Sequence, residues 1–443
     1  MRKRAFVGIS TLLAAAMITG CGMTSGSGSA TTASSGAAQA DSTSGGESDS
    51  TLDIILVGTE SDAYVPGYKK IMDDFSANNE YGVTVNYQFI SNSDYKTKIT
   101  TLMASDSEPD IIFTWELGYL ENFVNGNKIV DLQPYLDADK DWADSFNAGT
   151  LEQLTYNGDV YGIPTQSSMA VMYYNTDIFD QYGLSVPTTY DEYLQVCETL
   201  KSNGVTPVAL ASTADDAWLV SQYIQQLANG ITGDGLYNSL KDGTGKWNDD
   251  AFVQAGQLLQ AEIDAGNFED GFTGVSGDEA RQLFMDGKTA MYFNGSWEIS
   301  NVASDNSSIK DHVSCFTMPS KDPQYADISV GSVDSSYAVT KNCTNVDAAV
   351  ALLKYWTNSE NAQMLLYDYG RTPATNCELD ESKLNALNAT FLTVLSEQKA
   401  LTPWFDRMDT DMGNEFNNES VAISNGDDPQ EAFDSLQAYH ESK

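Results

Sequence analysis

The feature that most constrains this chain is an alternation of hydrophobic period near the start of its apolar part. Leu52 to Val57 reads as an apolar run suited to a buried parallel strand, and Gly58 breaks it. Tyr68, Ile71, Met72 and Phe75 then recur at helical spacing, which places one apolar stripe against a sheet. Val83, Val85, Tyr87 and Phe89 alternate as a strand, Tyr95, Ile99, Leu102 and Met103 return to the helical period, and a third strand covers Asp110 to Trp115. A β-α-β-α-β unit with right-handed crossovers follows, so the fold class is α/β. In open sheets of this kind ligands bind beyond the carboxyl ends of the strands. Those ends carry Glu60 and Asp62 after the first strand, and Trp115 with Glu116 after the third.

Strand and helix signals continue along the chain. Ser168 to Tyr174 and Thr289 to Phe293 read as strands, and Thr189 with Glu192 forms a capping box for a helix through Leu200. Ala348 to Trp356 reads as one helix, and Ser359 as the cap of a second that ends at Gly370.

The first residues address the chain to a compartment. Arg2, Lys3 and Arg4 precede a short apolar stretch, Ala5 to Ile18, as in a secretory signal covering 1–20. Ile18-Thr19-Gly20-Cys21 resembles the bacterial lipobox, whose cysteine takes a diacylglycerol and becomes the new N-terminus. Residues 21–50 are mostly Ser, Gly, Thr and Ala, too polar to bury a core, and read as a tether. The expectation is a protein on the extracellular face of the cytoplasmic membrane, anchored through Cys21.

Removing 1–20, with three cations and no acid, takes the formal charge from −40 to −43. Nucleic acid is excluded as a partner, and a polyanionic ligand is disfavoured. Cys197, Cys315, Cys343 and Cys377 remain. Cys197 reads as a core helix residue, and Cys343 with Cys377 is the first pair to test for a disulfide. No Cys-Xaa-Xaa-Cys spacing occurs, and His312 and His440 are too few for an ordinary zinc or Ser-His-Asp site, so no metal or cofactor is expected. Asp409 to Glu415 fails as a calcium loop, because the sixth and twelfth positions are Asn414 and Ser420; helix capping explains it better. Gly233 and Gly235 lack the third glycine of a dinucleotide site.

The blocks Tyr161 to Gln166 with Tyr173 to Asn175, Phe284 to Glu298, Val330 to Val339 and Tyr369 to Pro373 occur in this order. Together they resemble the extracellular solute-binding proteins of family 1, sugar-binding subunits of ABC importers related to maltose-binding protein. The resemblance runs from Thr51 to Lys443, though Arg371 and Thr372 stand between the glycine and proline of the closing block. It implies a two-lobed periplasmic-binding-protein-like clamp, each lobe a doubly wound sheet flanked by helices, with three hinge crossings. By that analogy 51–161 and 318–356 form lobe one, 162–317 and 357–443 lobe two. A sugar would lie between the lobes, and the closed form would be recognised by the importer's membrane subunits, the protein acting as a monomer.

A sugar presents C–H faces and a rim of hydroxyls, so its site needs aromatic platforms beside planar donors and acceptors. Four tryptophans lie beside acids in turn contexts: Trp115 with Glu116, Trp218 with Asp216, Trp297 with Glu298, and Trp404 with Asp406. Trp142, Trp247 and Trp356 read as core. Glu60 and Asp62 either accept from sugar hydroxyls or cap the following helix. Gln166 either binds ligand or is structural. Asp334 is a ligand candidate because its turn matches the family block. Arg371 either clamps hydroxyls or forms a salt bridge. The rival readings are a surface glycoside hydrolase, which also sets paired carboxylates in an aromatic cleft, and a binding protein for a non-sugar solute. Neither eight strand-helix repeats nor an all-β pattern appears, which argues against the hydrolase.

Overall fold

The computed structural model describes residues 51–443. The expected signal segment 1–20, Cys21 and the expected tether 21–50 lie outside the described residues. The strands of the main sheet are β1 (Thr51–Val57), β2 (Thr84–Ile90), β3 (Ile111–Thr114), β4 (Ile163–Asn175), β5 (Thr206–Ala209), β6 (Thr289–Gly295), β7 (Val313–Phe316), β8 (Ile328–Val339) and β9 (Ala400–Thr402). The helices used below are α1 (Val65–Asn78), α2 (Asn92–Ala104), α3 (Tyr190–Ser202), α4 (Ala217–Thr232), α5 (Asp250–Asp264), α6 (Gly277–Met285), α7 (Val346–Trp356), α8 (Ser359–Tyr369) and α9 (Thr410–Ser424).

β1 pairs in parallel with both β2 and β3, giving the expected β-α-β-α-β unit. Pro66 opens α1, where its missing N–H costs nothing. Tyr68, Ile71, Met72 and Phe75 of that helix are buried, as their spacing requires. Ser91 caps α2 by accepting from the Asp94 amide, and Tyr95 Oη donates to the Phe113 carbonyl at 2.6 Å. Both ties fix α2 over the end of β3, and so place the side chains that α2 turns toward the ligand edge.

One nine-stranded mixed sheet runs β2-β1-β3-β8-β4-β6-β5, with β9 on β8 and β7 on β4. The two lobes therefore share one continuous ladder, because the long antiparallel strands β4 and β8 belong to both. Along β4, Met169, Val171 and Tyr173 enter one apolar cluster while Ala170 and Met172 enter another. Its run from Ser168 to Tyr174 has few polar breaks because both faces are covered.

The apolar clusters show where the chain passes between lobes. One core holds Leu52, Ile112, Ile163, Val339 and Trp356, and it also takes Leu365 of α8. The two cores of the other lobe take Met169, Phe252 and Phe293, and also Met318 and Val330. Relative to the expected division, the second passage lies inside β8 rather than at residue 318. The third lies after α8 rather than at 356. A continuous strand carries the second, and α8 stays with α1 because Gly67 lets the Tyr369 ring approach to 2.6 Å of where a Cβ would stand.

One smaller expectation needs correction, and one open question is answered. Asn358, not Ser359, caps α8, its side chain accepting from the Asn361 amide at 2.8 Å. Cys343 and Cys377 are free thiols, like Cys197 and Cys315, because a core of this size needs no cross-link. Thr189 and Glu192 form the capping box of α3, and Asp409 caps α9. Trp142, Trp247 and Trp356 are buried.

Candidate functional site: the interlobe cleft

A cavity of about 460 Å³ opens where the carboxyl ends of β1 and β3 face the second lobe. Nine of the thirteen residues singled out above line it: Asp62, Trp115, Asp216, Trp218, Trp297, Glu298, Asp334, Arg371 and Asp406. The other four do not. Glu60 points to solvent and pairs with Lys69 at 2.5 Å. Glu116 is buried behind the wall, accepting from Arg407 Nη1 at 3.1 and 3.2 Å. Gln166 Oε1 accepts from Tyr68 Oη at 3.0 Å and Thr165 Oγ1 at 2.8 Å, which commits it to the hinge. Trp404 is fully buried behind Trp297, with ring centroids 5.6 Å apart, so it backs that ring rather than facing the cavity.

The open aromatic surface is the pair Trp218 and Trp297, centroids 5.8 Å apart and tilted by 54°. Trp297 sits where it does because Gly295 has no side chain; a Cβ there would overlap three of its ring carbons. Trp115 shows only 7% of its surface, the rest being packed edge-on against Phe113, Tyr95 and Tyr119.

Backbone irregularity positions the hinge acids. The register of β8 on β4 slips between Val333 and Ser336, which takes Asp334 off the ladder and turns it to the cleft. There Arg371 Nη2 donates to Asp334 and, at 3.1 Å, to Ser335 Oγ, while the guanidinium lies 4.7 Å from the centre of the Tyr64 ring. Arg371 thus forms the buried ion pair that was one of its two readings, and it also lines the cavity.

Asp62 folds back on its own loop, accepting from the Thr59 amide at 2.8 Å, and lies 3.6 Å from Arg281. It does not cap α1, whose first turn receives no side-chain bond. Arg281 of α6 pairs with Asp278 and Glu298 of its own lobe and reaches across the cleft to Asp62, and Ala63 donates its amide to Asn301 Oδ1 at 3.0 Å. These contacts join the lobes at one end of the cavity. Burial pushes the Glu298 carboxyl above its usual range, and the Arg281 charge pulls it back. Asp216 accepts from the Gly277 amide at 2.8 Å, fixing the start of α6.

Several wall residues were not singled out from sequence: Lys96, Gln222, Arg281, Asn301 and Arg407. Gln222 carried a readable signal. Helix α4 is buried nearly all round, yet contains Gln222, Gln225 and Gln226. Gln225 and Gln226 bond backbone groups at Pro403, Phe405 and Val330. Gln222 is 2% exposed with both amide atoms unpartnered, and it faces the cavity. Asp406 Oδ1, Arg371 Nε and Trp218 Nε1 are likewise buried without a protein partner.

Among the described residues no group of three or more His, Cys, Asp or Glu is arranged to hold a metal ion. None of the described helices is long and apolar enough to cross a membrane.

Fold and cleft together define a two-lobed α/β binding clamp. Residues 60–363 match the family model of bacterial extracellular solute-binding proteins, and the chain belongs to that family. It is 25% identical over 334 residues to the multiple sugar-binding protein of Streptococcus mutans, covering 72% of this chain and 74% of the relative. A structure solved in work on xylan utilization by the thermophilic bacterium Caldanaerobius polysaccharolyticus superposes with a TM-score of 0.81 at 29% identity. That likeness covers 88% of this chain and 99% of the other. A chitin oligosaccharide binding protein has the same fold, with a TM-score of 0.81 at 22% identity over 88% and 98% of the two chains.

Proposed function

We propose that this protein captures a carbohydrate, an oligosaccharide, in the interlobe cleft and delivers it to the membrane subunits of an ABC importer. The observation that carries the reading is the pairing of the Trp218 and Trp297 faces with unpartnered buried donors and acceptors, above all Gln222, inside one cavity. Stacking suits the C–H faces of a sugar, and an orphaned amide costs free energy until a ligand hydroxyl completes it. The names of the relatives point the same way. A cleft in which Asp334 and Glu298 are held by arginines suits binding better than hydrolysis, which needs one free base and one protonated acid.

The protein works as a monomer tethered through a diacylglycerol on Cys21 to the extracellular face of the cytoplasmic membrane. Replacing Cys21 with Ala tests the anchor: the protein should move from the detergent-rich to the aqueous phase on phase partition, and retention in the detergent phase refutes lipidation. A thermal-shift screen against mono- and oligosaccharides, amino acids and peptides tests the ligand class, because a ligand that binds only the folded state raises Tm. A shift with peptides and none with any saccharide would overturn the reading.

A further inference from the structure

Beside the main cavity lies a second chamber of about 220 Å³, open to solvent on one side. The two share the wall residues Asn92, Ser93, Lys96, Asp215 and Trp218, so they are neighbours across a common neck. The far wall is made by Asn414, Asn417 and Asn418, spaced three and four apart and therefore on one face of α9. Capping by Asp409 explains how that helix begins, but not three amides turned into one chamber.

The chamber has the chemistry of a site for a hydroxylated ring. Its lining is rich in amides, each of which donates and accepts. Asn92 and Asn414 bond no protein group through their side chains among the described residues, Asn417 keeps its amide nitrogen free while its oxygen accepts from Ser221 Oγ at 2.5 Å, and Asn418 donates to Glu415 at 3.4 Å. Lys96 stands at the neck with its ammonium 5.1 Å from the centre of the Trp115 ring. Arg281, Arg371 and Arg407 of the main cavity each hold a carboxylate, whereas Lys96 has none within 4.0 Å among the described residues. Its charge is left to donate to something that enters the neck. At 220 Å³ the chamber falls below the roughly 300 Å³ at which a pocket takes a whole drug-sized ligand, a size suited to one end of a longer one.

We infer that the second chamber receives the terminal ring of an oligosaccharide whose other rings occupy the main cavity, with Lys96 and Trp218 holding the linkage at the neck. The inference rests on the carbohydrate reading above and adds a length requirement to it. Because Asn92 and Lys96 lie on α2 and Asn414 on α9, a ring in the chamber also bridges the two lobes.

The test is calorimetric titration of the full chain with xylo-, malto- and chito-oligosaccharides from monomer to hexamer, for wild type, Asn414→Trp and Asn418→Trp. Both asparagines are exposed, so the blocking indoles should leave Tm unchanged. In the wild type, affinity should step up about tenfold at one added ring. Both blocked variants should lose that step while binding the shorter sugars within twofold of wild type. Binding with no step, or blocking that weakens every length equally, overturns the second-chamber assignment alone. Absence of binding at all lengths overturns it together with the carbohydrate reading.

Discussion

The Glu116–Arg407 pair gives the sharpest quantitative test of how the cleft wall is built. Glu116 is fully buried after β3, and Arg407 reaches it from the far side of β8 while also donating to the Val333 carbonyl at 3.2 Å. Replacing Glu116 with Leu keeps side-chain volume but strands a guanidinium that cannot shed its proton. Breaking a buried pair this way costs about 3 to 5 kcal/mol. Roughly 390 folded residues at about 2.1 cal/mol/K each give an unfolding entropy near 0.8 kcal/mol/K, so Tm should fall by about 4 to 6 °C.

The opposite variant, Arg407→Met, should behave differently. Burial already pushes the Glu116 carboxyl up, with Arg407 pulling it back. Without the arginine it rises further. A carboxyl whose folded pKa is raised is destabilising only where it must ionise, so the loss should be small near pH 5 and grow toward pH 8. The double variant should recover most of the loss, since both charges leave together. Differential scanning calorimetry of the four proteins checks this. A Glu116→Leu loss below about 1 kcal/mol, or a double variant as unstable as the two losses added, would refute the reasoning.

Three further outcomes are expected. Gly295→Ala should drive the Trp297 ring from its place and abolish most saccharide affinity, for an overpacking cost of about 1 to 3 kcal/mol in stability; unaltered affinity on titration would remove Trp297 as a platform. Burial pushes Glu269 up to about 7, and both its oxygens lack partners, so the wild type loses stability as pH rises from about 4.5 through 7. Glu269→Gln should therefore gain on the order of 1 to 3 kcal/mol at pH 8 and nothing at pH 4, read by urea unfolding; an equal effect at both pH values would refute it. Without denaturant, a thiol reagent should label Cys377 in preference to the buried Cys197, Cys315 and Cys343, and reductant should leave Tm unchanged; protection of Cys377 reversed by reductant would restore the disulfide.

Much of the architecture is legible in the sequence because hydrophobic period is a local property. The change of period between Leu52 and Trp115 is enough to specify β1 to β3 with α1 and α2, and the rule for strand ends then leads to Asp62 and Trp115. What the period does not carry is direction. Trp404 and Trp297 have similar acidic neighbours, yet one backs the other, because their orientation depends on packing against Gly295 and α4. Glu116 and Gln166 sit at the expected edge, but turn away to partners distant in sequence, Arg407 and Tyr68. The lobe passages are less legible for a related reason. A strand twelve residues long crosses the hinge without leaving the sheet, and the tertiary cores show which half packs where. Gln222 was within reach, since a glutamine in a helix buried nearly all round needs a partner, and the one it lacks within the protein is the one the cleft can supply.

The most direct measurement is isothermal titration of the full chain with neutral oligosaccharides, repeated with Trp218→Ala and Trp297→Ala. Saturable one-to-one binding is expected, weakened about tenfold or more by each substitution, the loss of about 1.4 kcal/mol or more that a buried aromatic contact supplies. Binding of a non-sugar solute in place of any saccharide, or saccharide binding indifferent to both indoles, would contradict the cleft as the capture site.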